Sequence, residues 1–388
     1  MKIYEIATGY TPVPAQMGAA TEIVVEELTK AFLEIGVDVE ILDISATDRS
    51  KNNLPITEIR VPSVFTKKDV SLGIMHKVKR VVYSVALALK LKKLLKKAQG
   101  KIVLHFHNQY NMFFFLKLVP EKLRKKATLA YTVHSYIWGT DWEEIKDTVK
   151  TNYFQEVYCV QNADLVLVLN DKTTQHFTNH LGVDKNRIVK IINGVNTDTY
   201  SPLDAETVEN LKKSANLAGK KMIFQVGSVC ERKNQLGTVE MLADYLKNNE
   251  NVVYMYAGGI IDPEYKSKID ALAKEKGILS QVQYVGELAP GNQLNQYYNM
   301  ADCSVFTSNL ESFGLVIIEA ISAGTPVIMG NKLMFDLKSG YTIYKNQQEF
   351  IEQVNTAINT PKQTARCHEV LQSFNWVAVA KNHISLFN

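Results

Sequence analysis

Eleven short apolar runs recur along the chain: KIYEIAT, VDVEILDI, KIVLHFH, ATLAYTVH, DLVLVLN, RIVKIIN, KMIFQVG, NVVYMYAGG, QVQYVG, DCSVFTS and TPVIMG. Near-continuous runs rich in Val and Ile indicate strands buried on both faces, the signature of a parallel sheet rather than of a half-solvated antiparallel one. Between them lie amphipathic helical patterns such as AATEIVVEELTKAFLEIG, stopped at Gly36, and PEYKSKIDALAKEKG, stopped at Gly277. Parallel strands joined through helices require right-handed crossovers, so the chain reads as α/β throughout. Its 388 residues exceed what one core holds and suit two doubly wound domains of similar size. The segment 193–221, polar and interrupted by Pro202, precedes a restart of the pattern at Met222 and places the hinge near residue 193.

Composition removes several classes. Hydrophobic residues make up 46% and charged residues 22%, which excludes a disordered or low-complexity chain. Cys159, Cys230, Cys303 and Cys367 are widely spaced with no C-x-x-C pair, which argues against a disulfide framework or structural zinc and suits a reducing cytosol. Glu5 interrupts what a signal peptide would need as its apolar centre, and the apolar stretch 81–89 is cut by Arg80 and Lys90, too short to cross a bilayer. No G-x-G-x-x-G follows any strand and no Walker A pattern occurs, which weakens dehydrogenase and P-loop readings.

The stretch 308–327, SNLESFGLVIIEAISAGTPV, carries the most chemistry. A strand runs into a polar loop with Glu311, and Phe313 and Gly314 open an apolar helical run through Glu319. An acid among Val316, Ile317, Ile318, Ala320 and Ile321 is costly without partners; the alternative is an ordinary helix-surface acid. Eight residues of helix span about 12 Å, too far for the two carboxylates to flank one bond as a glycosidase pair does. They read as handles on different parts of one elongated ligand, and the helix-terminal amides beside Gly314 suit a phosphate. In QVGSVCERKNQ, Arg232 and Lys233 follow a strand end, where ligands of open α/β sheets bind, and could neutralise a diphosphate. Alone, such a dipeptide is more often solvated surface.

These residues resemble the retaining nucleotide-sugar glycosyltransferases of family 4. The resemblance rests on ESFGLVIIEA followed by AGTPV, VGSVCERKN, NGVNTDTYSP at 193–202, TVHSY around His134, and the Pro-rich loop ending in Gly18. It implies a glycosyltransferase-B (GT-B) fold of two facing Rossmann-like doubly wound parallel-sheet domains. The first, 1–192, would bind the acceptor, with a terminal helix, 374–388, packing back on it; the second, 193–373, would bind the donor. It further implies that Glu311 contacts the donor sugar, Glu319 holds the ribose hydroxyls, Arg232 and Lys233 bind the diphosphate, and amides around Phe313 and Gly314 touch the donor. Retention in the family is ascribed to a front-face mechanism, so Glu311 is not assigned as nucleophile. No metal or cofactor is expected, and no Asp-x-Asp triplet occurs; the donor is a nucleotide-diphosphate sugar, with UDP-sugars favoured. Growing negative charge on the leaving diphosphate is where fixed cations contribute most.

His134, at a strand end, fits the family's histidine that contacts the donor sugar or assists the acceptor; the alternative is a buried, backbone-bonded histidine. His105 and His107 share one strand face, but with no third acid or cysteine nearby they make a poor metal site, and a cleft-lining role is expected. Where relatives often carry paired glycines, this chain has Gly18 and Ala19. After AGTPV it departs from the usual Gly-Gly-x-Pro-Glu stretch, running MGNKLMFDLKSGYTIYKNQQEF instead, which leaves the finer donor-sugar contacts open.

The net charge of +4 conceals a segment, 60–130, with 17 Lys plus Arg against Asp69 and Glu121. Within it, 76–101 interleaves lysines with apolar residues at helical spacing, and 121–126 (EKLRKK) adds a second cluster. A solvated helix face and contact with an anionic membrane surface both fit; no nucleic-acid module is present. The combined expectation is a cytoplasmic hexosyltransferase, peripheral at the inner membrane face, acting on a lipid-linked or saccharide acceptor in cell-surface polysaccharide or glycolipid synthesis. The rivals are a GT-B epimerase or phosphorylase and a catalytically silent partner subunit of a sister transferase.

Overall fold

The computed structural model describes residues 1–15, 19–47, 49, 51–65, 74–331, 337, 340–362, 372 and 374–388. It divides into two compact units, Met1–Gly194 with Trp376–Asn388, and Val195–Asn375.

The first unit runs β1 (Lys2–Ile6), α1 (Ala20–Glu34), β2 (Asp38–Ile44), β3 (Ile56–Ile59), α2 (Ile74–Lys97), β4 (Ile102–Phe106), α3 (Gln109–Leu118), α4 (Glu121–Arg124), β5 (Thr128–Thr132), α5 (Trp142–Asn152), α6 (Phe154–Asn162), β6 (Leu165–Val168), α7 (Asp171–Leu181) and β7 (Ile188–Lys190). Its seven strands are all parallel, in the order β3-β2-β1-β4-β5-β6-β7. Chain direction across the sheet reverses between β1 and β4, the switch point at which loops diverge and leave a crevice at the strands' carboxyl ends. The core is apolar on both faces, with Ile3, Ile6, Leu104, Phe106 and Tyr131 buried. Each such side chain contributes roughly 1.5–3 kcal/mol by leaving water. The terminal helix Trp376–Phe387 packs on α1, His383 meeting the edge of Phe32.

The second unit contains α8 (Ala205–Ser214), β8 (Lys221–Val226), α9 (Gln235–Lys247), β9 (Val252–Ala257), α10 (Pro263–Glu275), β10 (Val282–Tyr284), α11 (Asn292–Met300), β11 (Cys303–Phe306), α12 (Leu315–Ser322), β12 (Val327–Gly330), β13 (Tyr341–Tyr344) and α13 (Gln347–Asn359). Its six strands are parallel in the order β10-β9-β8-β11-β12-β13, with the reversal between β8 and β11. Helix starts follow capping chemistry: Asp204, Asp262 and Asn346 each accept from a first-turn amide, and Pro263 occupies the position where a missing N–H costs nothing.

Eleven strands match the apolar runs. The two additional ones, β3 and β13, are four-residue edge strands, ITEI and YTIY, whose exposed positions dilute the apolar signal. No helix among the described residues is long and apolar enough to cross a membrane.

Candidate active site

Sheet order in the second unit explains why residues nearly eighty positions apart meet. β8 and β11 are hydrogen-bonded neighbours at the switch point, so the loops leaving their carboxyl ends run side by side. A backbone bond from Asn309 N to Arg232 O (2.9 Å) joins the loops, and the Asn234 side chain donates to Thr307 O (3.2 Å). Below them Gln225, Thr238 and Thr307 form a buried polar knot, with Gln225 donating to Lys233 O at 2.8 Å. Asn234 stands at φ 60°, an αL position that turns the Glu231–Lys233 single turn into α9.

On this scaffold Glu311 Oε1 lies 2.6 Å from both Arg232 Nη1 and Lys233 Nζ. All three side chains are largely shielded, at 12–28% exposure, so the pairing is stronger than a surface ion pair. Two cations meet one carboxylate, leaving a net positive charge for an anion. Glu311 precedes α12 rather than lying on it, so the 12 Å helical estimate of its separation from Glu319 does not apply.

Gly314 caps α12 at φ +85° and, being glycine, offers the first-turn amides no capping side chain of its own. An added Cβ would stand 3.0 Å from Ile317 Cδ1 and 3.2 Å from Phe306 Cζ, so glycine is required by both backbone and space. Phe313 is buried beside it. One turn further on, Glu319 is buried with 7% exposure, and the Tyr298 hydroxyl donates to its Oε2 at 3.2 Å. Burial raises its pKa to about 7, against the lowering effect of hydrogen bonds from Tyr298 and Tyr200. The embedded acid thus has partners, and holds or releases a proton near neutral pH.

A cavity of about 550 Å³ in this unit, lined by Pro202, Leu203, Lys212, Lys221 and Asp302 among others, contains none of these residues. Its Lys212 and Lys221 are already paired with Asp302 there.

A second cluster belongs to the first unit. Register places Glu5 of β1 directly beside His105 of β4. His105 Nδ1 lies 3.0 Å from Glu5 Oε1, and its Nε2 lies 2.7 Å from Thr132 Oγ1. His107 Nε2 lies 2.6 Å from Glu5 Oε2, and its Nδ1 lies 3.0 Å from His134 Nε2. Two expectations are corrected here. His105 and His107 are buried at 0% and 3% exposure rather than exposed, His105 on the central strand β4 and His107 just beyond its end. A third ligand is also present, since the acid Glu5 joins His105 and His107 to bring three ligand atoms within 4.8 Å of one another. That donor set is compatible with a divalent ion, although each of the three atoms already faces another in a hydrogen bond.

Burial acts to raise the Glu5 pKa, but the His105 charge and hydrogen bonds from His105 and His107 outweigh it and hold the carboxyl at about 2. Burial and the neighbouring His105 push His107 down to about 4. His134 is pushed well below the usual histidine range by burial and by the two other histidines. From its other side the His134 loop is tied to Glu156, which accepts from Tyr131 (2.7 Å), Ser135 (2.9 Å) and Trp138 Nε1 (2.8 Å). Glu5, Glu156 and Tyr298 were not among the residues expected from sequence. Gly18 and, in the segment after AGTPV, residues 332–336 and 338–339 lie outside the described residues.

Residues 21–199 match the family model "Glycosyltransferase Family 4", and residues 207–372 match "Glycosyl transferases group 1". The chain belongs to the family 4 glycosyltransferases. This glycosyltransferase is 22% identical to spore coat protein SA of Bacillus subtilis, over 100% of this chain and 99% of that one. Its fold is similar to sucrose-phosphate synthase from Thermosynechococcus elongatus, with a TM-score of 0.75 at 19% identity, covering 100% and 98% of the two chains. It is also similar to Anabaena HepE solved with UDP and glucose, with a TM-score of 0.71 at 16% identity, covering 100% and 99%. The two parallel-sheet units are those of the GT-B fold.

Proposed function

We propose that this glycosyltransferase moves a sugar from a nucleotide-diphosphate sugar to an acceptor hydroxyl with retention and without a metal ion, the donor lying on the second unit. The observation that carries the reading is the convergence of Arg232, Lys233 and Glu311 beside the Gly314-capped start of α12. A diphosphate entering there meets two fixed cations and the positive end of α12, which stabilise the charge that grows as the glycosyl–phosphate bond breaks. Glu319 is the acid that would accept from a ribose diol. Glu311, tied through one oxygen to both cations, is a poor nucleophile, which favours front-face retention over a covalent intermediate. The likeness to a fold solved with UDP favours a uridine donor.

The acceptor reading rests on α2. On one side it exposes Met75, Val78, Val81 and Leu89 at 40–53%, interleaved with exposed Lys77, Lys90, Lys93, Lys96 and Lys97. Apolar side chains ringed by lysines suit the interface of an anionic bilayer, where each cation contributes about 1 kcal/mol. A membrane-held, lipid-linked acceptor for glycolipid or polysaccharide synthesis follows.

Incubating the purified chain with a panel of nucleotide sugars tests the donor reading. Turnover that Glu319→Ala abolishes is expected, with product of retained anomeric configuration by NMR. An inverted product would sink retention, and failure to bind any nucleoside diphosphate would favour the silent-subunit alternative. Sedimentation with anionic vesicles at low salt tests the acceptor reading, and absence of binding there would remove it.

A further inference from the structure

The buried hydrogen bonds running from Glu5 to His134 have a direction. An ionised carboxylate only accepts, so the two ring nitrogens facing Glu5, His105 Nδ1 and His107 Nε2, must both carry protons. A neutral His107 protonated at Nε2 has a bare Nδ1. That atom can only accept, and the nitrogen opposite it at 3.0 Å, His134 Nε2, must therefore donate. His134 in turn is left with a bare Nδ1. Among the described residues this nitrogen has no hydrogen-bond partner, and the side chain carrying it is only part-buried.

We propose that Glu5 and His107 are positioning residues that fix the tautomer of His134, so that it meets its ligand with an unprotonated Nδ1, an acceptor for a sugar hydroxyl rather than a donor to an anion. The inference deepens the transferase reading and rests on it for the ligand's identity. Low pKa values at His107 and His134 agree with neutral rings in this order. Stacking of the His107 and His134 rings, 5.3 Å apart and 27° from parallel, holds the two planes in register. The Glu156 bonds to Ser135 and Trp138 keep the loop from swinging His134 away. A histidine's tautomer is set by the hydrogen bond its other nitrogen makes, and here that bond is set in turn by an acid two side chains away. The same order explains why Glu5 can stand in the middle of an otherwise apolar strand: both its oxygens are satisfied by ring N–H groups.

Long-range ¹H–¹⁵N correlation spectra of the full chain with labelled histidines, recorded near neutral pH without substrate, distinguish bare from protonated ring nitrogens. His134→Asn assigns the resonance. The expected wild-type pattern is protonated Nε2 and bare Nδ1 at His134. Glu5→Gln and His107→Leu should each convert it to a mixture of tautomers. His107→Gln, whose amide can donate to Glu5 and accept from His134, should retain the wild-type pattern. With acceptor present, the first two variants should lose about tenfold or more in kcat/KM, with nucleoside-diphosphate affinity unchanged.

A wild-type His134 protonated at Nδ1 would overturn the proposal, and so would a pattern unchanged in both Glu5→Gln and His107→Leu. Stoichiometric metal in the purified protein, released on denaturation and absent from His105→Ala, would also overturn it, since a metal would replace the protons on which the order depends. The wild-type spectrum decides even if a variant fails to fold. Because the spectra need no substrate, a chain that transferred no sugar would remove the functional reading while leaving the tautomer assignment intact.

Discussion

Glu319→Gln separates what the buried acid contributes to binding from what it costs the fold. Glu319 has a folded pKa of about 7, raised from 4.5 chiefly by burial. The folded chain therefore keeps a proton that the unfolded chain releases. The stability associated with that proton is fully present below pH 4.5 and is lost as pH rises to about 7, beyond which both states are ionised and the loss is constant. Worked from those two values at 1.36 kcal/mol per unit, the penalty is about 0.8 kcal/mol at pH 5 and about 3.3 kcal/mol at pH 8. Glutamine has nearly the same shape, keeps a carbonyl to accept from Tyr298, and does not titrate. Relative to wild type, its stability should therefore rise by about 2.5 kcal/mol between pH 5 and pH 8. For a unit of this size that is roughly 5–10 °C in Tm, read by scanning calorimetry on the second unit's transition. Any fixed packing difference between the side chains cancels in the comparison of two pH values. So does Glu22, a buried acid of the first unit that is also raised to about 7. The same substitution should weaken nucleoside-diphosphate binding at pH 8, since a ribose diol loses its ionised acceptor. In wild type near pH 7, binding should release protons, visible as a dependence of calorimetric heat on buffer ionisation enthalpy. A Tm difference that is the same at both pH values would refute the argument, because it would mean that burial does not hold the carboxyl protonated.

Arg232→Ala and Lys233→Ala should each weaken nucleoside-diphosphate affinity at least tenfold, about 1.4 kcal/mol, and weaken nucleoside-monophosphate affinity less. Equal losses for both ligands in isothermal titration would place the cations away from the terminal phosphate. Gly314→Ala forces a Cβ into the αL region against Ile317 and Phe306, which should cost about 1–2 kcal/mol and lower donor affinity. A variant with wild-type Tm and affinity would contradict a left-handed Gly314 cap on α12. Glu156→Leu removes the acceptor shared by Tyr131, Ser135 and Trp138, leaving the donor-only Trp138 N–H buried and unsatisfied at about 1–3 kcal/mol. The first unit's Tm should fall while nucleotide binding by the second is unchanged, and an unaltered Tm would count against the network.

What the sequence disclosed and what it concealed follow from one rule. The parallel sheets were legible because a strand covered on both faces must be apolar along its length, as VVYMYA of β9 is, with all six residues buried. β3 and β13, at the sheet edges, escape that requirement and its signal. Glu319 stood out for the complementary reason, as an acid placed where only apolar residues are cheap. Glu5 carries the same mark inside KIYEI, yet read only as a break in a signal-peptide pattern. Its meaning depends on register, and the pairing that sets Glu5 beside His105 spans a hundred residues and three strand-to-strand connections. Arg232, Lys233 and Glu311 lie between these cases: their residue types and strand-end positions are local, but their meeting depends on β8 and β11 being neighbours at the switch point. A buried acid in an apolar strand is thus a local sign that a distant partner exists. The hydrogen-bonding needs of that acid specify the partner as an N–H or O–H donor. For Glu319 the donor is the Tyr298 hydroxyl; for Glu5 the donors are the histidines of the only H-x-H in the chain, and through His107 the bonds reach His134.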